Sequence, residues 1–297
     1  NGLPNRLKMG FNVNENILST GFYAWDYLCC RNFTNLELIM KIAFLHFDFC
    51  GGPQSANTEK ILHGMKIAAA AGAEWILTPE MALQGYFMVK SEKKYVLASI
   101  TNGSYEPFKE AAADLGVRLF LGCGEQEDNT APHNSCVVID QKGKVIAKHN
   151  KVKIVKWITE NWAEPGNGFK VHCFDEVQTG LLVCADTWFA EHGEFLGNLG
   201  AELMVSIAAW PDSNHGGPPQ EAWKRCSKAA GGIPLLLSNQ TGNNGMDCRK
   251  AESAVAQDGE IVCTYSGDEA VLFVDFDKQS KRVSSKNFEI MGLVGWL

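Results

Sequence analysis

The segment LLVC closes on Cys184, a thiol at the end of an apolar run where Ala185 and Asp186 begin a polar turn. At the carboxyl edge of an α/β sheet such a thiol opens onto a crevice, and N–H groups of the turn can hold an oxyanion. A cysteine in a core-like run is more often a packed side chain than a nucleophile. Three other positions shift that balance: Glu80, Lys151 and Glu160 stand at other strand or hairpin ends and in loops. Each is a type that amide chemistry needs. A carboxylate beside the thiol serves as its base and later protonates the leaving amine. A lysine can stabilise the charge that develops on the carbonyl oxygen. Spacing alone does not bring these residues together, and a charged residue at a strand end is ordinarily solvated.

The elements that must position them alternate along the chain. KIAFLHFDF reads as a buried strand and EKILHGMKIAAAAGA as a helix closed near Gly72. AEWILTPEM is a short strand that stops at Pro79 and Glu80, before Gly85 and Tyr86. YEPFKEAAADLG predicts a helix and VRLFLGCGEQ a strand, and NSCVVID and VIAKHNK form a hairpin across QKGK. After EPGNG come the strand of TGLLVCADTWF, the helix EFLGNLGA, the strand ELMVSIAAW, the helix QEAWKRCSKAAGG and the strand PLLLSNQTG. SAVAQDGEIV and EAVLFVDF predict two more strands. Strands interleaved with helices imply one α/β domain with mixed sheets. Residues 1–39 are different: Asn-rich, with Phe22, Tyr23, Trp25 and Tyr27 but no clear periodicity. Met40 reads as the ancestral start of the domain, with residues 1–39 an N-terminal extension of unknown role.

Of the 297 residues, 45% are hydrophobic and 21% charged, an ordinary balance for a chain with a sizeable core. A formal net charge of -7 argues against binding nucleic acid or anionic lipid by bulk electrostatics, so a small molecule is the expected partner. The ten cysteines are scattered, without a CxxC pair, and read as reduced and cytoplasmic. Neither they nor the seven histidines supply metal-ligand spacing. No metal and no cofactor are expected. No apolar run reaches the ~20 residues that span a bilayer, and no basic leader with a cleavage site opens the chain.

The chain resembles the nitrilase superfamily of carbon-nitrogen hydrolases, over roughly residues 40 to 275, with its motifs in the family order. TPEMALQGY is similar to the family's glutamate motif, with Glu80 in the general-base position. HNKVKI resembles its lysine motif: Lys151 falls in the lysine slot, Asn150 stands where the family has Arg, and Lys153 is the local competitor. TGLLVCADTWF matches the cysteine motif with Cys184 as nucleophile, and GAELMVSIAAWP the strand after it. ENWAEPGN resembles the loop of a second glutamate, which gives Glu160 a place beside the substrate or the lysine. The resemblance implies an α-β-β-α sandwich over residues 40–297 and homodimers or larger homo-oligomers that pair through a helical face. It also implies a thioester mechanism in which Lys151 and the Ala185 N–H hold the oxyanion.

Within the family, true nitrilases follow the cysteine with Trp and Glu; this chain has Ala185 and Asp186. CADTWFAEH is more similar to the CxDxWFPE pattern of N-carbamoylputrescine-type amidases, departing at Ala190. The resemblance therefore implies an amidase for a small linear amide or N-carbamoyl compound. Nitrilase, glutamine-dependent or acyl-transfer chemistry, and a non-catalytic binding protein are the alternatives. Trp162, Trp188, Trp210 and Tyr86 are candidates for the substrate pocket, although a Trp near a strand end is more often packing. Lys156 or Arg225 could hold a substrate carboxylate. His172 and His192 lie near Cys184 in sequence, yet no papain-type CGSCW segment is present. GCGEQ lacks the context of a dinucleotide loop. Asn32-Phe33-Thr34 is a sequon that matters only in a secreted protein.

Overall fold

The computed structural model describes residues 38–49, 51, 53–86, 88, 95–156, 159–211, 219–243 and 246–293. The four aromatics of the N-terminal extension and the sequon lie outside them. In chain order the elements are β1 (Ile39–His46), α1 (Gln54–Ala70), β2 (Trp75–Leu77), α2 (Glu106–Leu115), β3 (Arg118–Glu125), β4 (His133–Ile139) and β5 (Val145–Asn150). Then come β6 (Val171–Phe174), β7 (Val177–Val183), a 3₁₀ turn (Cys184–Trp188), α3 (Ala190–Asn198), β8 (Leu203–Ala208) and α4 (Pro219–Ala229). The last are β9 (Leu235–Asn239), β10 (Ser253–Gln257), β11 (Glu260–Tyr265), β12 (Ala270–Asp277), β13 (Arg282–Val283) and β14 (Glu289–Gly292).

The strands form two sheets. One runs β13-β12-β1-β2-β3-β4-β5, with β14 also on β12; the other runs β11-β10-β9-β8-β7-β6. β1, β2 and β3 are parallel, as are β7, β8 and β9. Alternation along each strand sorts its side chains into layers. Ile42 and Phe44 of β1 meet Val183, Val205 and Leu236 of the other sheet between the two sheets. Ala43 and Leu45 turn the other way, onto Ile61 and Met65 of α1 and Phe108 and Ala112 of α2. On the far side, Met204, Leu235 and Leu237 pack against Leu196 of α3 and Ala222 and Trp223 of α4. The result is the α-β-β-α sandwich. Strands buried on both faces explain why they read as continuous apolar runs.

One expectation needs correction. SAVAQDGEIV is not one strand but a hairpin, β10 and β11, turning at Asp258 and Gly259, which have φ of 56° and 77°. An Asp-Gly pair with positive φ at both positions is the preferred two-residue hairpin turn. Among the described residues the first strand starts at Ile39. β6, β13 and β14 were not expected at all.

Candidate active site

The parallel strands β2 and β7 end beside one another, on different sheets, and the polar cluster forms there. Thr78 leaves β2 with its hydroxyl accepting the Gly122 N–H at 2.8 Å. The chain then turns through Pro79 into Glu80 so close to β3 that a Cβ on Gly122 would lie 2.0 Å from the Pro79 carbonyl oxygen. Only glycine leaves that space. The Glu80 N–H donates to the Ala208 carbonyl at 3.3 Å, which ties the end of β2 to the end of β8.

Glu80 is fully buried and fully partnered. Its Oε1 accepts Lys151 Nζ at 2.6 Å and Asn134 Nδ2 at 2.7 Å, and its Oε2 accepts the Ala209 N–H at 2.9 Å. Lys151 follows the last residue of β5, and its backbone N–H is held by the Asn134 carbonyl at 2.8 Å. Its buried ammonium also donates to Glu160 Oε1 at 2.5 Å. That same oxygen accepts Tyr86 Oη at 3.1 Å and Asn134 Nδ2 at 3.3 Å, while Glu160 Oε2 accepts the Val155 N–H at 2.7 Å. Lys153, the neighbouring candidate, lies elsewhere: its ammonium sits 5.0 Å from the centre of the Phe189 ring.

Cys184 is the first residue after β7 and has φ of 45°. A side chain in the left-handed region costs about 1–2 kcal/mol, so the surroundings must hold it. Thr187 Oγ1 donates to the Cys184 carbonyl at 2.7 Å, and Asp186 Oδ2 accepts the Val183 N–H at 3.0 Å. Asp186 is fully buried and also accepts the N–H groups of Val152 and Lys153 on Oδ1, and His149 Nε2 on Oδ2 at 2.9 Å. One carboxylate thus joins the turn that carries Cys184 to the segment just after Lys151. The thiol is an electrostatic neighbour of the Glu80 carboxyl.

The electrostatics separate the two glutamates. Burial raises Glu80, against the pull of Lys151, to about 7, and the nearby Glu160 charge adds to the rise. Glu160 is held below its ordinary value: burial opposes this, but Lys151 and the Val155 N–H outweigh it. Burial alone would lower Lys151; Glu160 and Glu80 overcome that and hold it well above its usual range, so it stays an ammonium. Burial and Glu80 push the Cys184 thiol well up, so it rests protonated. A carboxyl near 7 beside a neutral thiol can take and return a proton, which a permanently ionised carboxylate does poorly.

The aromatic candidates divide. Tyr86 and Trp162 belong to one apolar group with Met81, Met88, Leu97, Ala209 and Met246, adjoining Glu80 through Met81 and Ala209. Trp188 and Trp210 pack together at 5.6 Å between ring centres, and Trp210 meets buried Trp223 edge-on at 5.9 Å. Ala185 is the second residue of the 3₁₀ turn. Lys156 and Arg225 are both exposed. His192 is bound to the backbone carbonyl of Asp186 at 2.8 Å, and His172 stacks on Phe174. Sequence reasoning missed Asn134, which touches both glutamates, and the His149–Asp186 pair. A polar residue opening the apolar run NSCVVI was the signal for Asn134. Among the described residues no group of His, Cys, Asp and Glu could hold a metal ion, and no helix is long and apolar enough to cross a membrane.

Comparison with known proteins agrees with this architecture. The family model for carbon-nitrogen hydrolase matches residues 50–283. The chain is 28% identical to a citrullinase of Francisella tularensis, over 80% of this chain and 83% of the relative. It is 26% identical to an N-carbamoylputrescine amidase of Solanum lycopersicum, over 80% of this chain and 86% of that one. Among solved structures, an amidase from Nesterenkonia sp. superposes with a TM-score of 0.71 at 24% identity, covering 80% of this chain and 90% of that one, a likeness of fold. Because the family model spans far more than half of the residues, including both strand ends that carry the buried cluster, the chain belongs to the carbon-nitrogen hydrolase family, the nitrilase superfamily.

Proposed function

We propose that the protein is an amidase acting on a small linear amide or N-carbamoyl compound through a Cys184 thioester, with Glu80, Lys151 and Cys184 as its catalytic triad. The observation that carries this reading is a carboxyl raised to about 7 beside a buried thiol, with a buried ammonium 2.6 Å away. Glu80 takes the thiol proton as sulfur attacks the substrate carbonyl. Lys151 and the Ala185 N–H hold the oxyanion. As the C–N bond breaks, Glu80 returns the proton to the leaving ammonia or amine. Water, deprotonated by Glu80, then attacks the thioester, releasing the acid and restoring the thiol. Glu160 keeps Lys151 charged and in place. Tyr86 and Trp162, with Trp188 and Trp210 further out, line the substrate side. The relatives are named for citrulline and N-carbamoylputrescine, which supports a carbamoyl substrate.

A cytoplasmic homodimer or larger homo-oligomer, paired through a helical face, and a single catalytic domain over residues 40–297 after an extension belong to the same proposal. Exposed Phe195 and Leu199 on and beside α3 support the pairing. The test is ammonia release from a panel of small amides, carbamoyl amines, glutamine and nitriles. Release from amides or carbamoyl compounds is expected. Release from nitriles alone, or from glutamine only when a partner protein is added, would replace the proposal by one of its alternatives.

A further inference from the structure

β5 and β6 are the edge strands of their two sheets on the same side of the sandwich. A cleft of about 190 Å³ opens where these edges meet. From β5 it takes Lys148, His149 and Asn150; from the approach to β6 and β6 itself it takes Asn167, Lys170 and His172, with Gly168 between. Gly168 has φ of 139°, a conformation that side chains rarely adopt. The lining thus holds two lysines, two imidazoles and two carboxamides and no carboxylate, in a chain whose net charge is -7. Lys148 is offset from outside the lining by Glu125 at 2.9 Å and Glu127 at 3.9 Å. Lys170 has no carboxylate partner among the described residues. Burial, Lys170 and His149 together hold His172 below its usual range, as expected of cationic groups crowded without a counter-charge.

The cleft shares no residue with the Glu80–Lys151–Glu160 cluster, yet it is wired to it. His149 reaches Asp186 at 2.9 Å, and Asp186 holds the N–H groups of Val183, Val152 and Lys153, which flank Cys184 and Lys151. We propose that this cleft binds a small oxyanion of the phosphate class, free or as a phosphate monoester, and that His149 transmits its occupancy to Asp186. Cationic and carboxamide residues of both edge strands line it, and lysine and imidazolium donors to an oxyanion make charge-assisted hydrogen bonds. An anion held beside His149 fixes its ring, and with it the hydrogen bond to Asp186, which stiffens the turn at Cys184.

The experiment is calorimetric titration of the full chain with inorganic phosphate at constant ionic strength, near the pH where imidazoles titrate. Saturable binding is expected, weakened about tenfold or more in Lys170→Glu and in His172→Gln, and retained in Lys228→Glu, an exposed lysine on α4. A phosphate monoester that binds more tightly than phosphate would identify the esterified form. Binding of acetate but not phosphate would overturn the phosphate class. Absence of saturation in the wild type, or equal binding by Lys170→Glu, would overturn the site. In amide NMR spectra, phosphate should move the Val183 and Lys153 resonances in the wild type and leave them in place in His149→Gln. Phosphate binding that leaves both unmoved in the wild type would overturn the coupling.

Discussion

At the amino-terminal ends of β2 and β7, Asp175 pairs with Arg118 and accepts Trp75 Nε1 at 2.6 Å and Gln141 Nε2 at 3.2 Å. At the carboxyl ends of the same two strands lie Glu80 and Cys184. Both clusters join the two sheets. They differ in charge: the first matches one carboxylate with one guanidinium at the protein edge, whereas the second sets two carboxylates on one ammonium with almost no solvent. A matched pair has no reason to move a proton. An unmatched buried set lowers its cost by leaving one carboxyl protonated near neutrality, and Glu80 is that group.

The comparison breaks most severely at Cys184. Cys184→Ala should lose amide turnover by about 10⁴-fold or more with an unchanged melting curve, measured as ammonia release and by calorimetry. Glu80→Gln should cost about 10²- to 10⁴-fold in kcat. Its stability should move the opposite way. In the folded state Glu80 titrates at about 7 against an ordinary 4.5, so the fold holds the extra proton between these values and loses stability as pH rises through that window. The variant should therefore gain in melting temperature, relative to wild type, as pH is raised from about 4.5 to about 7.

Glu160→Gln should behave in reverse. The charge of Glu160 is favoured in the fold, so its contribution is present above the ordinary carboxylate range and is lost as pH falls; removal should cost about 2 kcal/mol near neutral pH in denaturant melts. It should also shift the acidic limb of the pH–rate profile downward, because the like charge that lifts Glu80 is gone. The smallest effect belongs to the matched cluster. Asp175→Asn should cost about 1 kcal/mol of stability and leave the pH–rate profile where it was. A shifted profile in that variant would end the distinction between the two ends.

Glu80 after WIL, Cys184 after GLLV and Lys151 after the β4–β5 hairpin stand at the ends of elements, but it is the motif order of the family resemblance, not spacing, that makes them candidates in the sequence. Asn134 was not legible, since its importance lies in contacts with Glu80, 54 positions away, and Glu160, which no local pattern encodes. β6 hid for another reason: it is a short edge strand with half its face open, so VHCF lacks the apolar signal of the inner strands. β14 is exposed along its whole length and is defined by its partner β12 rather than by its own residues. The Asp258–Gly259 hairpin was readable in principle, because Asp-Gly between two apolar runs is itself a turn signal.

The most direct test is the rate of ammonia release against pH for wild type beside Cys184→Ala, with the best amide of the panel. The wild-type rate should climb through about pH 7 as Glu80 loses its proton, and the variant should release none. Release by Cys184→Ala at the wild-type rate would contradict the assignment of the nucleophile and, with it, the role given to Glu80.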